Sequence, residues 1–176
     1  MILRRLAPLG TVDEAGRTVF GRIVPYGEVT TVTEGRTSYQ EMFAPGAFAK
    51  SIRDRGHKVR LFAMHKTDRF PLGRATELIE RGDGVHATFT LARTRDADEA
   101  LELITTGAVD AFSIGFRPIR SRQRNGVVVR EEAALFEVSL VHTPAYDGAR
   151  VAGVRSANVL SADVARRQLE LILTSW

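Results

Sequence analysis

The chain has 176 residues, a length that fits one domain with its own hydrophobic core. It contains no cysteine, which excludes disulfides, thiol nucleophiles and zinc–thiolate sites, and no apolar run approaches the roughly 20 residues of a membrane helix. We therefore expect a soluble, intracellular protein. The net charge of +4 allows a nucleic acid or an acidic partner, although GC-rich coding explains the excess of arginine over lysine more simply.

The first half of the chain predicts strands and one short helix. Residues 17–27 predict a strand that ends in a turn. Residues 44–56 predict a helix with a proline in its first turn and Gly56 at its end. Residues 58–65 ("KVRLFAMH") then predict an apolar strand that ends in His65.

The middle of the chain predicts a half-buried strand followed by an amphipathic helix. Residues 85–91 ("VHATFTL") alternate apolar and polar side chains, as a strand with one buried face does. Residues 96–107 have an apolar stripe at helical spacing, and Asp96 with Glu99 predicts a capping box at the start of this helix. Further on, the pair Asn125-Gly126 predicts the turn of a β-hairpin.

The stretch "AFSIGF", residues 111–116, predicts a strand with one face of unusually small side chains. Its phenylalanines and isoleucine share one face, whereas Ala111, Ser113 and Gly115 share the other. A strand buried on both faces would fill that side with larger apolar residues, so the small face leaves room for another group. Ser113 is a candidate nucleophile if a base lies within reach, and a small packing residue otherwise.

His65 and Glu137 are the candidate partners of such a nucleophile. His65 ends a buried strand and begins a polar turn, which suits either proton transfer or a structural bond to a backbone carbonyl. Glu137 interrupts an apolar strand and, by simple alternation, shares a face with Leu135 and Ser139. A carboxylate in that setting needs a partner, which is either a histidine or one of the many arginines.

The arm before the predicted hairpin turn is rich in arginine. Arg120, Arg122 and Arg124 alternate with other residues and share a face, so they could bind phosphates or an acidic peptide. No aromatic side chains interleave with them to stack on bases, and a solvated arm is the simpler interpretation. The sequence has neither a glycine-rich phosphate loop nor a cluster with metal-ligand spacing.

Several segments, taken in order, resemble the prohead (capsid maturation) protease family of tailed bacteriophages. The resemblance covers roughly residues 15–151 and rests on the ordered set rather than on any single piece. The matching segments are "YQEMFAPGAF" (39–48), "VRLFAMHKTDRFPLGRA" (59–75), "GVHATFTLARTRDADEALELITTG" (84–107), "FSIGF" (112–116) and "FEVSLVHTPAYDGARV" (136–151). The resemblance implies a mainly β fold with helices (α+β), similar to a compact assemblin-like β-barrel flanked by short helices.

The resemblance also implies the roles of the site residues. Ser113 would be the nucleophile and His65 the general base of a serine protease, with the small strand face as the floor for the substrate backbone. We expect Glu137 as the third member of the triad, with His142 as the alternative, because assemblin-type enzymes use a histidine there. Backbone N–H groups near residues 148–150 would bind the oxyanion by the same analogy. No cofactor and no metal are expected.

The same resemblance implies the biological setting. Residues 1–151 would form the protease domain, and residues 152–176 a linker with an amphipathic helix that targets the enzyme or is cleaved off. The expected substrates are the scaffolding segment of the major capsid protein and the protease itself, which could form homo-oligomers. The expected location is the host cytoplasm, inside the assembling prohead, and neither a membrane nor nucleic acid is an expected partner. Two alternatives remain: a non-enzymatic capsid or scaffold component, and an arginine-rich, nucleic-acid-binding packaging accessory.

Overall fold

A computed structural model describes residues 3–8, 12–13, 17–34 and 36–142 of the chain. The expected oxyanion-binding segment and the expected linker and C-terminal helix lie outside these residues. The described part contains ten strands, two α-helices and one 3₁₀ turn. The strands are β1 (Leu3–Pro8), β2 (Val12–Asp13), β3 (Thr18–Pro25), β4 (Thr30–Glu34), β5 (Thr37–Phe43), β6 (Arg60–Ala63), β7 (Gly73–Arg81), β8 (Gly84–Leu91), β9 (Ala111–Arg124) and β10 (Val127–Val141). The helices are α1 (Ala49–Arg55), which the 3₁₀ turn Gly56–Lys58 follows, and α2 (Arg95–Thr105).

The long hairpin of β9 and β10 is the centre of the sheet. Its turn residues, Asn125 and Gly126, have φ of 51° and 80°, so the predicted Asn-Gly turn is confirmed. The two strands pair antiparallel from this turn to Ala111 and Val141. On its other edge, β10 pairs in parallel with β5 near the turn and with β6 near its C-terminal end. This second pairing places the end of β6 one strand away from the "AFSIGF" segment, with β10 between the two.

The sheet remains open, which corrects the expected closed barrel. The hydrogen-bonded strands run in the order β1-β9-β10-β6-β7-β8-β3-β2, while β4 and β5 branch from β10. Within the described residues, no pairing joins β1 to β2 at the two ends of this path. Closure would need two edge strands with matching rows of backbone N–H and C=O groups, and β2 offers only two residues. The expected mainly β class with short helices is confirmed.

Aromatic and aliphatic side chains on one face of the sheet form the core. Phe116 lies edge-on to Phe43 with ring centroids 5.0 Å apart, and Phe112 packs against Phe89 at 5.7 Å. The alternation predicted for residues 85–91 is confirmed, because the four apolar side chains of that strand are all buried. Since Phe112, Ile114 and Phe116 fill this core, the small residues of β9 face away from it.

Both helices begin at different residues from those predicted. Helix α2 starts after Thr94, whose hydroxyl accepts a bond from the backbone N–H of Ala97 at 3.4 Å, so Asp96 lies inside the helix rather than at its cap. Thr94 has extended backbone angles, as an N-cap residue requires. Helix α1 is shorter than predicted, and Gly56 keeps right-handed helical angles and continues into the 3₁₀ turn.

A buried tyrosine ties α1 to the sheet. The Tyr26 hydroxyl donates a hydrogen bond to Oε1 of the Glu80 carboxylate. Glu80 Oε1 also accepts the backbone N–H of Phe48 at 3.1 Å. Burial, followed by the bond to Glu80, raises the pKa of Tyr26 above its ordinary value near 10. The native protein therefore holds this proton at a pH where the unfolded chain has lost it.

We expect the free energy of unfolding to decrease as the pH rises above about 10. Below that pH both states hold the Tyr26 proton, whereas above it only the native state does, so proton release favours unfolding. Urea unfolding between about pH 9 and 12 measures the slope, and Tyr26→Phe is the control. The variant should lose part of the alkaline decrease; an unchanged slope in Tyr26→Phe would contradict the assignment.

Candidate active site

A β-bulge in β10 places Glu137 on the face opposite the core. Leu135 pairs with Phe116, and Glu137 pairs with Gly115, so the extra residue Phe136 interrupts the alternation. Leu135 therefore points into the core while Glu137 lies on the small face of β9. The expectation that Glu137 and Leu135 share a face is wrong, because simple alternation does not account for a bulge.

His65 reaches the same face through a left-handed turn directly after β6. Met64 and His65 have φ of 51° and 57°, a region that non-glycine residues rarely adopt and that costs roughly 1–2 kcal/mol per residue. Two bonds to β10 hold the turn: the N–H of Met64 to the carbonyl of Leu140 at 2.9 Å, and the N–H of His65 to the hydroxyl of Ser139 at 3.1 Å. The surrounding strands thus fix the imidazole above β9 and β10.

Both ring nitrogens of His65 have partners. Nε2 lies 2.6 Å from the Ser113 hydroxyl, and Nδ1 lies 2.7 Å from Glu137 Oε1. A carboxylate can only accept from Nδ1–H, so Nε2 carries the free lone pair that accepts from the serine. This arrangement can withdraw a proton from the Ser113 hydroxyl and stabilise the imidazolium that results.

The three groups lie in a largely water-excluded place. Ser113 is 2% exposed and Glu137 is 5% exposed. The second oxygen of Glu137 accepts the Ser139 hydroxyl at 2.8 Å, so both carboxylate oxygens have a donor. A buried carboxylate is costly unless it is paired, and here the pairing is complete. The low polarity strengthens each of these bonds relative to the same bond in water.

The absence of a side chain at Gly115 provides the space for Glu137. A Cβ built at this position would lie 2.4 Å from Glu137 Oε1 and 2.9 Å from its Cγ, distances at which the carboxylate has to move. The room on this part of the small strand face is therefore occupied by the third side chain of the site. Glycine is needed here for close approach rather than for backbone freedom.

Gly115→Ala should break the bond between Glu137 and His65. The added methyl group meets a buried, hydrogen-bonded side chain, and overpacking of this kind costs about 1–3 kcal/mol. NMR of the His65 Nδ1–H proton should show loss of its low-field resonance, and chemical unfolding should show lower stability. Gly82→Ala is the matched control, because a Cβ there meets nothing within 4 Å. Retention of the resonance in Gly115→Ala would contradict this account.

The structure does not pair His65 or Glu137 with the alternative partners that the sequence suggests. His142 follows the end of β10 and is exposed. Since both ring nitrogens of His65 are already occupied, no ring N–H of His65 remains for His142. The buried arginine Arg130 pairs with Glu41 at 2.6 Å rather than with Glu137. The structure therefore brings together Ser113, His65 and Glu137.

The arginine arm is partly neutralised by neighbouring carboxylates. Arg120 and Arg122 both bond Glu131, at 3.2 and 2.9 Å, and Arg120 also lies 3.6 Å from Glu132. These cross-strand ion pairs reduce the positive charge that the arm could offer to phosphates. In the described part of the chain, no group of three or more potential metal ligands converges. None of the helices in that part has the length and hydropathy to cross a bilayer.

Sequence reasoning missed two residues of this site. The alternation along the strand puts Ser139 on the face of Glu137 but indicates no role for it, and the pattern of residues 111–116 marks Gly115 only as part of a small face. The spacing of Glu137 and Ser139, two apart on one strand, was the available signal for the first. Nothing in the sequence indicated the second, because the register between β9 and β10 decides which residue lies opposite Gly115.

The chain is similar to known bacteriophage proteins. A family model described as caudovirus prohead serine protease matches residues 8–162. The prohead protease of Enterobacteria phage HK97 is 26% identical over 122 residues, which cover 67% of this chain and 54% of that protein. The chain thus spans about half the length of this relative. The solved structure of the bacteriophage T4 capsid assembly protease, gp21, superposes with a TM-score of 0.47 at 12% identity, covering 73% of this chain and 98% of that one.

Proposed function

The chain belongs to the caudovirus prohead serine protease family, and we propose on this basis that it is a serine endopeptidase of capsid maturation. One observation carries the proposal. The His65 ring bonds the Ser113 hydroxyl on one side and the buried Glu137 carboxylate on the other. This is the relation of nucleophile, base and orienting group that acyl transfer requires. The range matched by the family model contains all three residues.

The reaction follows from the positions of the three side chains. Ser113 Oγ attacks the scissile carbonyl while His65 Nε2 takes its proton, and Glu137 stabilises the imidazolium. His65 then returns the proton to the leaving amine, which breaks the peptide bond and leaves an acyl-enzyme on Ser113. Water attacks the ester with His65 again as base and restores the serine. We keep the backbone N–H groups of residues 148–150 as the proposed oxyanion donors.

The proposed substrate is the scaffolding segment of the major capsid protein, cleaved inside the assembling prohead in the host cell. Cleavage of the protease itself, possible because its copies share one enclosed space, is part of the same proposal. The two non-enzymatic alternatives have weaker support. A structural component has no use for a buried Ser–His–Glu relay, and the ion pairs of Arg120 and Arg122 take charge away from a nucleic-acid site.

Labelling by a fluorophosphonate tests the enzyme class directly. The reagent should modify one residue, Ser113, and peptide mapping should locate it, since only a serine activated by a base reacts at a useful rate. Ser121→Ala is a control that leaves Ser113 in place, and it should label as the wild type does. A folded protein that takes no label, or takes it on another serine, would contradict the proposal. Co-expression with the cognate capsid protein should then yield a shortened capsid band.

The division at residue 151 gives a further prediction of the proposed function. A chain truncated after residue 151 should stay folded and cleave peptide, but enter proheads poorly, because the segment removed is proposed to target the enzyme. Circular dichroism, peptide cleavage and recovery in purified proheads measure these three properties. If the truncated chain unfolds, residues 152–176 belong to the core of the protease domain and the proposed division is wrong.

A further inference from the structure

Ser139 lies beneath the proposed triad and touches two of its parts. It is 0% exposed and lies opposite Ser113 in the pairing of β9 with β10. On its other side it pairs with Phe62 of β6, three residues before His65. Its hydroxyl is therefore at the junction of the strands that supply nucleophile, base and carboxylate.

The direction of the Ser139 hydroxyl hydrogen follows from its two partners. The backbone N–H of His65, 3.1 Å away, can only donate, so Ser139 Oγ must accept this bond. The hydroxyl hydrogen is then free to point at Glu137 Oε2, 2.8 Å away. The Ser139 hydroxyl thus accepts a bond from the His65 backbone N–H and donates one to the Glu137 carboxylate. These two bonds together fix the orientation of the hydroxyl.

The bond to Glu137 fixes the orientation of its carboxylate. With Oε2 bonded to Ser139, Oε1 is presented to His65 Nδ1 at 2.7 Å. Without the hydroxyl, a buried carboxylate oxygen would lack a donor, and unsatisfied charged groups of this kind are strongly disfavoured. The carboxylate would then rotate or shift, and the bond to the ring would lengthen.

The bond to the His65 backbone fixes the base from the other side. His65 is the second of two left-handed residues, and its N–H has Ser139 Oγ as partner. A strained backbone of this kind persists only where surrounding contacts over-determine it. Loss of the Ser139 hydroxyl would leave that N–H without its partner and let the turn relax.

We infer that Ser139 is a positioning residue, which aligns Glu137 and His65 with each other through a single hydroxyl. The inference deepens the proposed function and rests on it for its catalytic meaning. The structural part of the inference does not depend on the proposed function. It states that the Glu137 carboxylate and the strained turn at His65 share one hydrogen-bonding group. A positional error of about 1 Å in such a relay lowers turnover by up to about a hundredfold.

The test compares Ser139→Ala with Ser51→Ala. Ser51 is the matched control, because its hydroxyl also accepts a backbone N–H bond, from Leu135 of the same strand at 2.8 Å, away from the triad. Steady-state peptide cleavage and the low-field NMR resonance of the His65 Nδ1–H proton are measured for both. Ser139→Ala should lower kcat roughly tenfold to a hundredfold, change KM little and lose or shift the resonance. Ser51→Ala should keep both at wild-type values while losing comparable stability.

The outcomes separate the inference from the proposed function. Wild-type kcat and an unmoved resonance in Ser139→Ala overturn the inference. If the wild type cleaves no peptide, yet its resonance is present and Ser139→Ala moves it, the proposed function fails and the positioning role stands. If Ser139→Ala does not fold, the nearly isosteric pair Ser139→Thr and Ser139→Val replaces it. Only the threonine keeps the hydroxyl, so equal resonances and equal turnover in that pair overturn the inference.

Discussion

Ser113→Ala should abolish processing of the capsid protein, with a loss of kcat on the order of 10⁶-fold, as expected when the nucleophile of a serine protease triad is removed. The hydroxyl supplies the atom that forms the acyl bond, and it is the group that lies 2.6 Å from His65 Nε2. The change removes one oxygen from a side of the strand that already carries small residues. Stability should therefore change by only about 1 kcal/mol.

The measurement has two parts. Co-expression with the cognate capsid protein reports processing as a shortened band, and urea unfolding reports that the variant is folded. Ser121→Ala, on the exposed part of the same strand, is the matched control and should process normally. Normal processing by folded Ser113→Ala would end the protease hypothesis.

His65→Ala and the double variant extend this test. Members of a triad act as a unit, so removal of both Ser113 and His65 should be no worse than removal of either one alone. Additive losses would show instead that the two side chains act in separate ways. His65→Ala also removes the Nδ1–H that bonds the buried Glu137 carboxylate, so we expect its stability to fall more than that of Ser113→Ala.

Glu137→Gln should lower kcat by about 10⁴-fold, the size of the comparable carboxylate-to-amide change in another serine protease. Glutamine has nearly the same shape and keeps the fit against Gly115. The site, however, offers two donors to this group, His65 Nδ1–H and the Ser139 hydroxyl, and an amide has only one oxygen to accept them. If the imidazole adopts the tautomer with its proton on Nε2 to accommodate the amide, Nε2 can no longer accept the proton of Ser113.

His142→Ala decides between the two candidates for the third member. Because His142 is exposed and both His65 nitrogens are occupied, we expect this variant to retain nearly full activity. Glu131→Gln is the matched control for the carboxylate change, since Glu131 lies on the same strand and pairs with arginines of the arm. Nearly full activity in Glu137→Gln, with loss of activity in His142→Ala, would show that the histidine is the third member.

Local patterns in the sequence were sufficient to predict the strands and the turn that carry the residues of the site. The alternation in residues 111–116 predicted a strand with a bare face around Ser113, and the structure places the larger side chains of this strand in the core. Asn125-Gly126 predicted the hairpin turn, because its left-handed angles suit these two residues. His65 was singled out by its place at a strand end. Each of these predictions depends only on residues that are neighbours in the chain. Such predictions hold in the folded protein because tertiary contacts do not change the local sequence pattern.

The relations between elements were decided by the tertiary structure. The sequence could not show that Phe136 forms a bulge, which separates Glu137 from Leu135 and turns the carboxylate toward Gly115. It could not show that His65 turns back over β10, because a left-handed turn at two non-glycine residues opposes local preference and is held by bonds to distant residues. Nor could it distinguish a closed barrel from an open sheet, which depends on whether the edge strands meet. The sequence by itself determined which residues were candidates for the chemistry, while strand register and strain, both non-local, determined which of them lie together.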